Sequence, residues 1–152
     1  MRTARQWSAW LAGGLAAAGV VALLLLADGS RGRLDDLAIA AVILTYTLVG
    51  VVLAVARTGN RVGLVIVLGA SAWGVGEGLI AGGLAGLADA PGSATFAVLA
   101  VLGTAARGLG WLLLVLVLPV VFGWCLYRAG LPSVTGVVLR AGWWWGWWLV
   151  PV

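Results

Sequence analysis

The 152-residue chain has no histidine and no lysine, one cysteine, and little charge of either sign: nine arginines and five acids make up 9% of it. Its few carboxylates are dispersed over the ends of different segments, so no ligand set for zinc, haem or copper can be assembled and no cofactor is expected. The same lack leaves any serine or cysteine nucleophile without an imidazole base, and there is no glycine-lysine phosphate loop, so the chain is expected not to be an enzyme. Cys125 cannot form a disulfide within the chain and reads as a small buried hydrophobe. The net charge of +4 does not point to nucleic acid, because the arginines occur singly and in pairs with no basic patch to hold a phosphate backbone. Arginine without lysine, together with 24 glycines, is the composition that GC-rich codons produce.

What is present is apolar sequence in long runs. With 63% hydrophobic residues the chain is too small to hide its apolar side chains in one water-soluble core, so lipid must be the solvent. The runs predict an all-α, polytopic membrane protein with four transmembrane helices, at about 7–27, 37–56, 62–84 and 105–127, in an antiparallel bundle. Each run holds about 20 residues, which as helix is ~30 Å, the thickness of the hydrocarbon core. Residues 1–127 form the membrane domain, and 128–152 an interfacial or cytoplasmic tail with a short apolar end. The segment 95–106 reads either as an interfacial helix or, preferably, as the outer end of a long fourth helix whose Arg107 reaches up to headgroups. Arg2 and Arg5 before the first run resemble a signal peptide, but that run is about twice the usual apolar length and an uncleaved first helix is expected.

Arginine placement predicts orientation. With the N-terminus in the cytoplasm, Arg2, Arg5, Arg57, Arg61, Arg128 and Arg140 fall inside, and only Arg31 and Arg33 outside, offset by Asp28, Asp35 and Asp36. Trp7, Trp10, Trp124 and Tyr127 then form an aromatic belt at the inner face of the plasma membrane. Short connections make neighbouring helices antiparallel.

Two features of the third run stand out. Gly74, Gly78, Gly82 and Gly86 recur every four residues, a ridge without side chains that lets another backbone approach, either within the bundle or from a second copy or another membrane protein. Glu77 is the one acid inside an apolar run, where a carboxylate must be paired, protonated or hydrated. It lies ~24 Å from the cytoplasmic end of its helix, within reach of water or of Arg107, and Trp73 sits one turn earlier on the same face.

The stretch Tyr46 to Leu79 resembles the N-terminal membrane region of two-component sensor histidine kinases from GC-rich bacteria. It shares an apolar helix ending at Arg57, a tight turn in which Asn60 and Gly63 match an Asn-Pro-x-Gly-Trp-like opening, a Gly/Ala-rich helix and the acid Glu77. Arg61 and Leu64 replace the proline and tryptophan of that opening. The resemblance implies a sensor module or remnant, since the chain has neither a phosphoacceptor histidine nor a kinase core. The tail Trp143-Trp144-Trp145-Gly146-Trp147-Trp148 read in a shifted frame becomes an ordinary apolar helix, which suggests a frameshifted, truncated product; a tryptophan-rich interfacial anchor is the other reading. The functions left open are a non-catalytic sensor-like membrane module, a small transporter or channel subunit with Glu77 and Arg107 on a polar path, and a partner that docks another membrane protein through the glycine ridge.

Overall fold

A computed structural model describes residues 4–27, 32–56, 61–128 and 130. Asn60, the side chain of Cys125 and the tryptophan-rich tail lie outside the described residues. The described chain is helical throughout: α1 (Ala4–Leu26), α2 (Arg33–Ala56), α3 (Arg61–Asp89), α4 (Ala94–Trp111), a π-helical stretch (Leu112–Val117) and α5 (Leu118–Arg128). Four helices are long and apolar enough to cross a membrane. Leu11, Leu15, Leu25, Leu34, Leu48 and Val101 are among many large apolar side chains left exposed around the bundle, far more than a water-soluble monomer tolerates. This is the architecture of a multi-pass membrane protein.

The first three helices begin or end within a few residues of their expected bounds, and the fourth takes the long form, with 95–106 as its outer end. It starts at Ala94, ahead of the apolar span at 105–127, and continues through the π stretch and α5 as one rod of ~50 Å. Arg107 interrupts the apolar run in the sequence, yet inside the rod its charge has a partner across the helix seam, so the helix has no reason to stop there. The π stretch has a local cause. Pro119 lacks the N–H that would bond the Val115 carbonyl, and its ring crowds that carbonyl, so the ladder changes register immediately ahead of it. The turn between α3 and α4 is set by Pro91 and Gly92: Gly92 has φ 88°, a conformation glycine adopts freely, and the Ser93 N–H donates to the Ala90 carbonyl at 3.2 Å.

The helix α3 is the hub. Two-thirds of its most apolar window is buried (67%) against 17% for α4, and it packs on α1, α2 and α4, whereas α4 meets neither α1 nor α2. Glycine contacts fix the register. Gly74 lies against Ala16, Gly78 against Gly19 and Ala22, and Gly82 near Leu26, so α1 runs parallel to α3. Gly50 on Val67, Gly63 on Ala54 and Gly74 on Ile43 make α2 antiparallel. Gly69 on Leu114, Gly76 on Arg107, Gly83 on Ala100 and Gly86 on Phe96 do the same for α4.

Extended at 1.5 Å per residue, this register sets Ala4, Ala56 and Arg61 flush at one end of the bundle and Leu26 and Arg33 level with Leu84 at the other. The slab between those levels is ~35 Å deep, matching a bilayer core, and the α3–α4 hairpin projects beyond it. Trp7 and Trp10 on α1 and Trp124 and Tyr127 on α5 are all exposed and share the first end, with the Arg128 guanidinium 5.8 Å above the Trp124 ring. Amphipathic aromatics grouped at one level are what a membrane interface selects.

Candidate functional site

Four side chains cluster across the α3–α4 seam. On α3, Trp73 and Glu77 are one turn apart; on α4, Arg107 and Trp111 are one turn apart; the antiparallel register sets Glu77 opposite Arg107 and Trp73 opposite Trp111. Arg107 Nη1 lies 3.6 Å from Glu77 Oε1, and Trp73 Nε1 donates a hydrogen bond to the same oxygen at 3.2 Å. The two indole rings meet at 4.6 Å between centroids with a 41° tilt. The centre is dry on one side and open on the other: Glu77 is 2% exposed and Trp73 6%, whereas a third of the Arg107 side chain (33%) is accessible.

The seam permits this because glycines let the two backbones meet at this level. A Cβ on Gly76 would lie 2.5 Å from the Arg107 backbone nitrogen, one on Gly103 2.7 Å from the Gly76 carbonyl oxygen, and one on Gly110 2.6 Å from the Trp73 nitrogen. Gly69, Gly76 and Gly83 on α3 face Gly103 and Gly110 on α4, both sets spaced by seven, the period of helices that coil about each other. Backbones that approach this closely bring the Glu77 carboxylate and the Arg107 guanidinium together across a short gap. In a medium of low dielectric such a pair satisfies charges that neither helix could carry alone.

The site residues expected from the sequence divide as follows. Glu77 and Arg107 come together, and Trp73 joins them. Glu77 keeps its distance of ~24 Å from the first end of α3 and sits ~10 Å inside the other end of the slab, buried against Arg107 and Trp73. Arg107 is placed inside the span, level with Glu77 and ~12 Å from that end, and not at its outer end. The ridge is occupied within the chain: Gly74 and Gly78 receive the α1 backbone, Gly82 makes ordinary contact with Leu26, and Gly86 receives the Phe96 ring of α4. Gly63 of the turn motif packs against Ala54 at the α2–α3 end. The spacing by seven and the role of Trp111 were missed by sequence reasoning. The signal was there, in Gly69, Gly76 and Gly83 matched by Phe96, Gly103 and Gly110, but it needed the register that pairs α3 with α4.

The other polar residues of the spans do not converge on this centre. The hydroxyls of Thr45, Thr47 and Thr104 each donate to the carbonyl four residues earlier in their own helix, and Ser71 donates to the Ala12 carbonyl of α1. Among the described residues no group of His, Cys, Asp and Glu is arranged to hold a metal ion. Compared with protein-family models, curated proteins and solved structures, the chain matches none.

Proposed function

We propose that the chain is a non-catalytic, sensor-like membrane module of the plasma membrane, with its N-terminus in the cytoplasm, in which the α4–α5 rod is the moving part. One observation carries this reading: α1, α2 and α3 pack on one another as a triangle, while the backbone of the rod comes close to α3 alone, along a glycine-rich seam pinned at one level by Glu77 and Arg107. A helix held on a single flat face can slide or turn by a fraction of a turn without disturbing the remaining helices, and its length carries such a shift to the end where the N-terminus lies. Six arginines against two support the cytoplasmic placement of that end. The resemblance of Tyr46 to Leu79 to kinase sensor regions agrees with a signalling role without catalysis.

The test is a pair of spin labels in bilayers of different thickness and lateral pressure, on a background in which Cys125 is replaced by serine. With labels at A56C and R128C, the distance is expected to change by ~1–2 Å between bilayers while an α1–α3 pair stays constant. A rod that keeps its distance in every bilayer, or moves only together with α1, would refute the reading. A response-regulator gene, or an out-of-frame kinase core, beside the coding sequence would support the kinase-derived origin.

The polar-path alternative draws little from the geometry, because the threonines bond within their own helices and Glu77 is sealed. Docking of a partner through Gly74 and Gly78 would require α1 to be displaced.

A further inference from the structure

A guanidinium carries five N–H donors and no acceptor, and hydrocarbon offers none in return. To Arg107 the described residues bring one ion-pair partner, Glu77 at 3.6 Å, and no hydrogen bond. A third of the side chain is exposed at the flank of the seam, where α2 and α4 diverge from their common neighbour and their backbones do not approach each other. Trp111, whose ring lies against the buried Trp73, is one turn along α4 on the same face, and Thr104 one turn the other way is exposed.

Arg107 lies ~12 Å inside the slab end that carries the α3–α4 hairpin. Side chains on a helix lean toward its N-terminus, and the N-terminus of α4 is at that end, so the stem of Arg107 carries its charge toward the nearer headgroups. Glu77 lies on the buried side of the pair, which leaves the accessible side cationic.

We infer that Arg107 is the anchor of a specific lipid site on this face: the phosphate of one anionic phospholipid from the hairpin-side leaflet is drawn down to the guanidinium, with its acyl chains against α4 and the half-buried Trp111. Phosphate oxygens and guanidinium match in charge and in two-point geometry, and the headgroup supplies acceptors that the described residues do not. The site stands on the position of Arg107 alone and holds whether or not the rod relays a signal.

Native mass spectrometry of the full chain, titrated with phosphatidylglycerol and separately with phosphatidylcholine, tests it. The wild type is expected to retain a first phosphatidylglycerol about tenfold more tightly than phosphatidylcholine, and R107Q to lose that preference. Because R107Q leaves Glu77 buried without its cation, the neutral double variant E77Q/R107Q is measured alongside; it too must show no preference. R128Q, at the opposite end, must keep it. Retention of phosphatidylglycerol by E77Q/R107Q at wild-type strength would overturn the site. So would a wild-type dimer that R107Q converts to monomer with lipid retention unchanged, since a second chain would then supply the acceptors.

Discussion

The substitution Gly76→Ala bears on how α4 is held. The added Cβ would stand 2.5 Å from the Arg107 backbone nitrogen, 2.7 Å from the Gly103 carbonyl oxygen and 2.9 Å from the Arg107 Cα. All three are backbone atoms of a helix, so none can swing aside, and α4 must withdraw by ~1 Å to restore ordinary contact. Because the α4 backbone approaches no helix of the bundle except α3, the withdrawal is taken up at this seam, and Arg107 moves away from Glu77 with it. Overpacking of this kind costs about 1–3 kcal/mol, and replacing glycine in a helix returns up to ~1 kcal/mol, so a net loss of about 1–2 kcal/mol is expected. That is a ~5–30-fold change in the folding equilibrium. The assay is reversible denaturant unfolding in mild detergent, with two glycines as internal references. At Gly108 an added Cβ meets nothing within 4 Å, and at Gly82 it meets only Leu26 Cδ1 at 3.5 Å, so G108A and G82A should be neutral or slightly stabilising. Equal stability of G76A and G108A would refute the close seam and with it the register.

Further substitutions probe the polar centre and the turn. E77Q should destabilise by about 2 kcal/mol, less than a fully buried pair would lose because Arg107 is a third exposed, and E77Q/R107Q should recover part of the loss; a double-mutant cycle with no coupling would remove the ion pair from the account. Trp73→Phe keeps the ring against Trp111 but deletes the donor to the Glu77 carboxylate, for an expected loss of about 1.5–3 kcal/mol in the same unfolding assay; a loss below 0.5 kcal/mol, taken roughly, would show that hydrogen bond to be unimportant. Gly92→Ala places a side chain on a positive φ in the α3–α4 turn and should cost about 1 kcal/mol, while Ala90→Gly beside it should cost less; the reverse order would contradict the turn geometry.

Much of the fold was legible because hydropathy and helix length are set by the same bilayer. Trp7 to Ala27 or Leu37 to Ala56 can be satisfied in hydrocarbon only as helices, since every other conformation leaves peptide groups unpaired. Glu77 announced itself as the one acid in a run, and Trp73 followed from the turn of the helix. The segment 95–106 left two readings open because a charge in an apolar run looks like an end unless its counter-charge is known, and that charge sits thirty residues earlier on another helix; the long fourth helix, the preferred reading, is the one found. Gly76 was hidden for a related reason: among 24 glycines the spacing by four from Gly74 was easier to see than the spacing by seven from Gly69, and only the partner helix tells which spacing faces what. The exposure of Arg107 depends on α2 and α4 diverging, a property of the packing that no single helix encodes.

The central claim is that α4 crosses the membrane beside α3 with Arg107 level with Glu77. Glu77 is the only glutamate in the chain, so a carboxyl-labelled glutamate gives one carbon-13 signal, and guanidinium-labelled arginine in the same sample supplies the nitrogen-15. Magic-angle-spinning NMR of the protein in lipid bilayers should then show a carbon–nitrogen dipolar coupling set by the 3.6 Å ion pair, present in the wild type and absent in R107Q. A wild-type glutamate with no guanidinium within coupling range, or a coupling that survives R107Q, would contradict the account.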